Sequence, residues 1–99
     1  MTGKIFSGSK GIEVRFIVDQ DVSTAQELRI YYWTPALVGG YWEAEAENPG
    51  TILHVIEEVT EYGDWYFQGW AKLSNSKDLY TDILPYKIYQ PIKDRIASS

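Results

Sequence analysis

An all-β fold, an antiparallel sandwich of about seven strands, is what this sequence predicts, on three observations. Apolar side chains recur at every second position in six segments, with a seventh candidate at Lys4 to Phe6. Turn residues separate these segments at short, regular intervals. No stretch carries the three-to-four-residue spacing of an amphipathic helix. A small barrel is the alternative closure, because the same alternation serves a sheet that closes on itself. An α/β fold would need helices between parallel strands, and these loops are too short to hold them. With 99 residues the chain suits one domain. We expect residues 1–91 to form it and 92–99 to be a flexible C-terminal tail.

The first clear strand has Ile12, Val14, Phe16 and Val18 on one face and Glu13, Arg15 and Ile17 on the other. The polar run Asp19 to Ser23 is turn-prone, and a strand follows in which Leu28, Ile30 and Tyr32 alternate with Arg29, Tyr31 and Trp33. Thr34-Pro35 ends it, because proline lacks the N–H a ladder needs. Gly39-Gly40 leads into Tyr41 to Glu47, read as one strand with Trp42, Ala44 and Ala46 on one face and glutamates on the other. Asn48-Pro49-Gly50 is a turn before a strand from Thr51 to about Glu57. Both faces of that strand are apolar, so periodicity leaves its inner side open. The longest strand opens at Gly63 and alternates Trp65, Phe67, Gly69, Ala71 and Leu73 with Tyr66, Gln68, Trp70 and Lys72. Gly69 implies a bulge or close packing by a large neighbour. After the polar loop Ser74 to Asp78, the segment Leu79 to Gln90 contains Pro85, which predicts an edge strand or two short strands divided by a bend. Val14, Phe16, Ile30, Trp65, Phe67 and Ala71 are the expected core.

Charge narrows the partners. The formal net charge is -5, and no Lys or Arg occurs between Arg29 and Lys72, where acidic residues accumulate. Nucleic-acid and anionic-membrane binding both draw on clustered cations, so neither is an expected partner. No apolar run approaches the roughly 20 residues of a membrane span. Met1 to Gly11 has no apolar core of the kind a secretory signal carries. There is no cysteine, so the chain has neither disulfides nor thiolate metal sites.

Residues that could carry chemistry have simpler readings. His54 is the sole histidine, set in mid-strand without a triad pattern around it. Glu43, Glu45 and Glu47 share a strand face, which reads as a solvated face rather than a recessed acid pair. Asp19, Asp21 and Ser23 lack the spacing of a calcium loop and suit a turn closed by side-chain hydrogen bonds. No catalytic residue, metal ligand or cofactor is assigned.

The aromatic residues are more informative. They make up 15% of the chain, and Tyr31, Trp33, Tyr66 and Trp70 alternate out of phase with the core set. Outward aromatics on neighbouring strands form either a protein interface or a platform for stacking sugars. The interface is the first reading and carbohydrate the second. Leu37 and Val38, in an apolar loop after Pro35, extend the candidate surface.

The order Asp19-Gln20-Asp21-Val22-Ser23-Thr24-Ala25, Leu28 to Tyr32, Thr34-Pro35, Gly39-Gly40-Tyr41-Trp42-Glu43-Ala44, Asn48-Pro49-Gly50-Thr51 and Gly63-Asp64-Trp65-Tyr66-Phe67-Gln68-Gly69-Trp70-Ala71 resembles the small immunoglobulin-like domains of tailed-phage structural proteins, including the N-terminal domains of baseplate and tail-fibre-attachment proteins. The likeness spans Gly11 to Pro91 and rests on turns and strand openings. It implies an immunoglobulin-like sandwich with Trp65 as a corner aromatic, and a structural, non-enzymatic role in a tail or baseplate. The location it implies is the virion, or the bacterial cytoplasm for a prophage product. Its implied partners are other phage structural proteins, with homo-oligomers as a further expectation. Ala36-Leu37-Val38 departs from the polar turn usual after that proline.

Overall fold

The computed structural model describes residues 5–92. Lys4 and residues 93–99 lie outside them, and so, except for Ile92, does the expected tail. The chain forms two packed sheets. The first has β1 (Ile5–Phe6), β9 (Leu84–Tyr89), β7 (Gly63–Lys72), β3 (Glu27–Trp33) and β4 (Gly39–Glu43) in that spatial order, with β8 (Asp78–Tyr80) pairing the far half of β7. The second is β2 (Lys10–Ile17), β6 (Thr51–Glu58) and β5 (Glu45–Ala46). Every pairing is antiparallel except β1 on β9. With β2-β6-β5 facing β9-β7-β3-β4, the two sheets form the expected β-sandwich.

Alternation places the expected six residues inside: Val14, Phe16, Ile30, Trp65, Phe67 and Ala71 are all buried. Burying each large apolar side chain contributes roughly 1.5–3 kcal/mol. The strand whose inner side periodicity left open turns Ile52, His54 and Ile56 inward, since Ile52 and Ile56 are buried and Val55 is exposed. Phe16 crosses from β2 to lie over Gly69, where an added Cβ would stand 3.3 Å from its ring. The glycine in the middle of β7 is therefore a seat for a large neighbour from the other sheet.

Two loops pin the ends of the sandwich. Asp21 accepts hydrogen bonds from the Ser23 backbone N–H and hydroxyl, which closes the Asp19–Ser23 turn and drives Val22 to full burial. The Ser23 hydroxyl, and then its N–H, hold the Asp21 carboxyl below its ordinary value. At the start of β7 the Trp65 indole N–H donates to the Glu61 carbonyl at 3.1 Å. Trp65 thus ties the β6–β7 corner to its own strand, as a corner aromatic does.

One expectation is corrected. Tyr41 to Glu47 is not one strand: Ala44 N–H still bonds Leu28 O in the first sheet, while Glu45 already pairs with Leu53 in the second. The chain changes sheets at a single residue, because period-two alternation is the same on either side of such a crossing. Leu79 to Gln90 is two strands, one of the two forms expected of it, divided where Thr81 bonds both the N–H and the carbonyl of Gly69. β1 pairs only Ile88 and Tyr89 of β9, so among the described residues the half of β9 that holds Pro85 has no strand on its outer side.

Candidate functional site

Cross-strand register arranges the outer face of the larger sheet in rows. The first runs Gly39, Trp33, Tyr66, Pro85 across β4, β3, β7 and β9; the second runs Tyr41, Tyr31, Gln68; the third runs Glu43, Arg29, Trp70, Tyr80. Strand pleat alone fixes this lattice, since residues directly opposite share a face. The inner side chains of these strands are already committed to the core, so the outer aromatics are surplus to the fold.

The first row is the open one. Trp33 and Tyr66 are 46% and 41% exposed. The six-membered ring of Trp33 is seated against Gly39, where a Cβ would come within 2.8 Å of it. A shallow groove of about 150 Å³ runs beside it between Tyr31, Tyr66, Gln68 and Ile83. Gln68 Nε2 donates to Thr81 O, which fixes its amide in that groove.

The third row is closed. Trp70 points outward as its alternation predicts, yet only 9% of it is exposed, so its assignment to an accessible interface is corrected. The Arg29 guanidinium lies 4.3 Å from the Tyr41 ring centre and 5.4 Å from that of Trp70, and Tyr31 meets Trp70 edge-on at 6.2 Å. Tyr31 is half-buried in this cluster and pairs with Tyr41 at 5.6 Å. Tyr41, 47% exposed, belongs to the face although sequence reasoning missed it. A hairpin folded at Ala36 pairs Tyr31 with Tyr41, and that registration was the available signal.

The hairpin tip between β3 and β4 carries Leu37. Thr34 N–H bonds Val38 O, Leu37 N–H bonds Thr34 O, and Leu37 has φ +62°. The same pattern closes the loop between β7 and β8, where Ser76 has φ +66°. Glycine or asparagine suits this left-handed position, and a leucine there costs about 1–2 kcal/mol. The Leu37 side chain recovers nothing from burial, being 71% exposed. We therefore expect Leu37→Asn to raise stability by about 0.5–1 kcal/mol, read as a melting-temperature gain of about 2–8 °C. Val38 diverges from its neighbour: it lines a separate, open groove with Thr34, Trp42 and His54 between the sheets.

The possible chemical groups are scattered. His54 stacks on Trp42 at 4.8 Å, and its Nδ1 lies 3.1 Å from the Glu43 carbonyl, so Nδ1 carries the donated hydrogen. The sheet crossing separates the glutamates. Glu43 stays on the larger sheet near Arg29, whereas Glu47 takes a two-toothed hydrogen bond from Arg15 on the outer face of the smaller one. Arg15 holds the Glu47 carboxyl below its ordinary value, and Glu47 with Glu13 raises that of Arg15. Among the described residues no group of three or more His, Cys, Asp or Glu is placed to hold a metal ion. No helix among them is long and apolar enough to cross a membrane. No family model, curated protein or solved structure matches the chain.

Proposed function

We propose that this domain is a non-enzymatic assembly module that docks a protein partner through the Trp33 end of its aromatic face and the adjoining hairpin tip. Leu37 carries this reading: an exposed leucine holds a backbone position that favours glycine or asparagine, next to two half-exposed aromatic rings. Local strain combined with exposed apolar surface disfavours the isolated domain on two counts, and a bound partner offsets the second by covering that surface. Aromatic anchors within such a patch are the residues that dominate binding energy. The setting we assign, a tail or baseplate of a tailed-phage particle, rests on the resemblance of the turns and strand openings alone. The acidic middle of the chain would keep unassembled copies apart by mutual repulsion.

Leu37→Asp should raise the melting temperature slightly, since aspartate, like asparagine, tolerates the left-handed backbone, and Trp33→Ala should leave it close to that of the parent. Each should weaken self-association, or incorporation into particles, by about 30-fold or more if these side chains are hot spots. Sedimentation velocity and particle co-purification measure this. The half-exposed Trp33 ring also suits stacking of a sugar ring. Oligosaccharide binding by calorimetry that is lost in Trp33→Ala, with association unchanged, would replace the assembly reading with a carbohydrate-binding one. Unfolding by Leu37→Asp would show instead that the tip is packed into the domain.

A further inference from the structure

We propose that the free edge of β2, with the cleft beside it, accepts one extended strand from a partner polypeptide, apolar at alternate positions. This surface is on the opposite flank from the Trp33 end, and the proposal does not depend on the assembly reading above. The two sheets are unequal in width. β6 and β5 pack over β3, so β2 ends the smaller sheet while β9 and β1 continue the larger one past it. Among the described residues no strand pairs with the outer edge of β2, although it is eight residues long. A cleft of about 260 Å³ opens there, walled by Ile12 and Val14 of β2 and floored by Trp65, Phe67, Leu84 and Tyr86. One further strand beside β2, at the usual spacing of about 4.8 Å, would lie over β9 and direct every second side chain into that cleft.

The geometry selects the occupant. A second copy pairing through its own β2 would bring the overhanging β9 and β1 of both molecules into the same space, so only a slim segment fits. In the sequence after Ile92, an alternation that turns Ile92 and Ile96 inward also turns Asp94 inward, which makes this chain's own end a poor match. Glu13 and Arg15 line the rim, but the Arg15 guanidinium is already held by Glu13 and Glu47. The open backbone edge and the apolar walls therefore define the occupant: one extended segment with apolar side chains at alternate positions.

The sequence of β2 itself meets those terms and supplies the probe. Laid antiparallel with Val14 opposite Val14, a peptide of residues 10–17 places its Arg15 against Glu13, its Glu13 against Arg15, and its Ile12, Val14 and Phe16 toward the cleft. Amide hydrogen exchange of the isotope-labelled domain, read by NMR with unlabelled peptide, tests this. The expected result is that outer-edge amides of β2 exchange at least about tenfold more slowly, while Trp33 and Tyr66 signals stay unchanged. A peptide of equal composition with its charges moved to the inward positions should give no protection. Leu84→Lys, at a cleft position 39% exposed, should abolish protection and keep the parent's melting temperature. The proposal is overturned by no protection at millimolar peptide, by equal protection from the shuffled peptide, by protection confined to β4, or by β2 edge amides already protected in the domain alone.

Discussion

Phe67→Ala is expected to remove about 3–5 kcal/mol of stability, a large share of the about 5–15 kcal/mol that a domain has in total. Phe67 is 4% exposed and central to the aromatic part of the core. Its ring centre lies 5.9 Å from Trp42, 6.0 Å from Trp65 and 6.4 Å from Tyr86. Those three rings come from β4, β7 and β9, and none can move far enough to fill the void without leaving its own strand. The loss therefore includes a cavity as well as the transfer of the side chain. Urea unfolding checks it through the midpoint. A variant with the parent's midpoint would mean that Phe67 contributes nothing to the core.

Gly63→Ala is expected to cost about 1–3 kcal/mol, lowering the melting temperature by about 4–8 °C for each kcal/mol lost. Gly63 opens β7 with φ +125°, a conformation open to little except glycine. An alanine Cβ there would stand 2.8 Å from Pro35 Cβ and 2.9 Å from its Cγ. Pro35 must then give way, and Pro35 belongs to the hairpin that presents Leu37. The substitution should weaken partner binding together with stability, whereas Leu37→Asn should raise stability while weakening binding. Thermal melting and sedimentation of the two variants, run side by side, separate backbone strain from contact loss. If Gly63→Ala keeps both the parent's melting temperature and its association, the close approach of Gly63 to Pro35 has no energetic weight.

Period two identified the inner residues of β2, β3 and β7 because each strand has a single buried face, and Gly69 was legible because only a close neighbour explains a glycine there. The sheet crossing at Ala44 was not legible. Trp42 faces the core of one sheet and Ala46 pairs in the other, yet their alternation is uninterrupted. The orientation of Trp70 could be read from β7 alone, but its burial could not, because it comes from Arg29 one strand away. Leu37 was recognised as apolar and exposed. Its left-handed backbone was hidden, since a bulky residue is not expected to mark that geometry, and Val38, exposed as expected, borders a different groove from the one beside Trp33.

The crossing at Ala44 also decides how the domain can move. On that flank the two sheets share a continuous backbone through one residue, held to Leu28 on one side and leading directly into the Glu45–Leu53 pair on the other. On the opposite flank β2 ends the smaller sheet beside an open cleft. That flank is tied as well, because β1, paired on β9, leads through residues 7–9 straight into β2, and the Gly8 N–H bonds Val59 O beside β6. Two short ties at opposite sides of the sandwich mean that sliding one sheet past the other has to strain both at once.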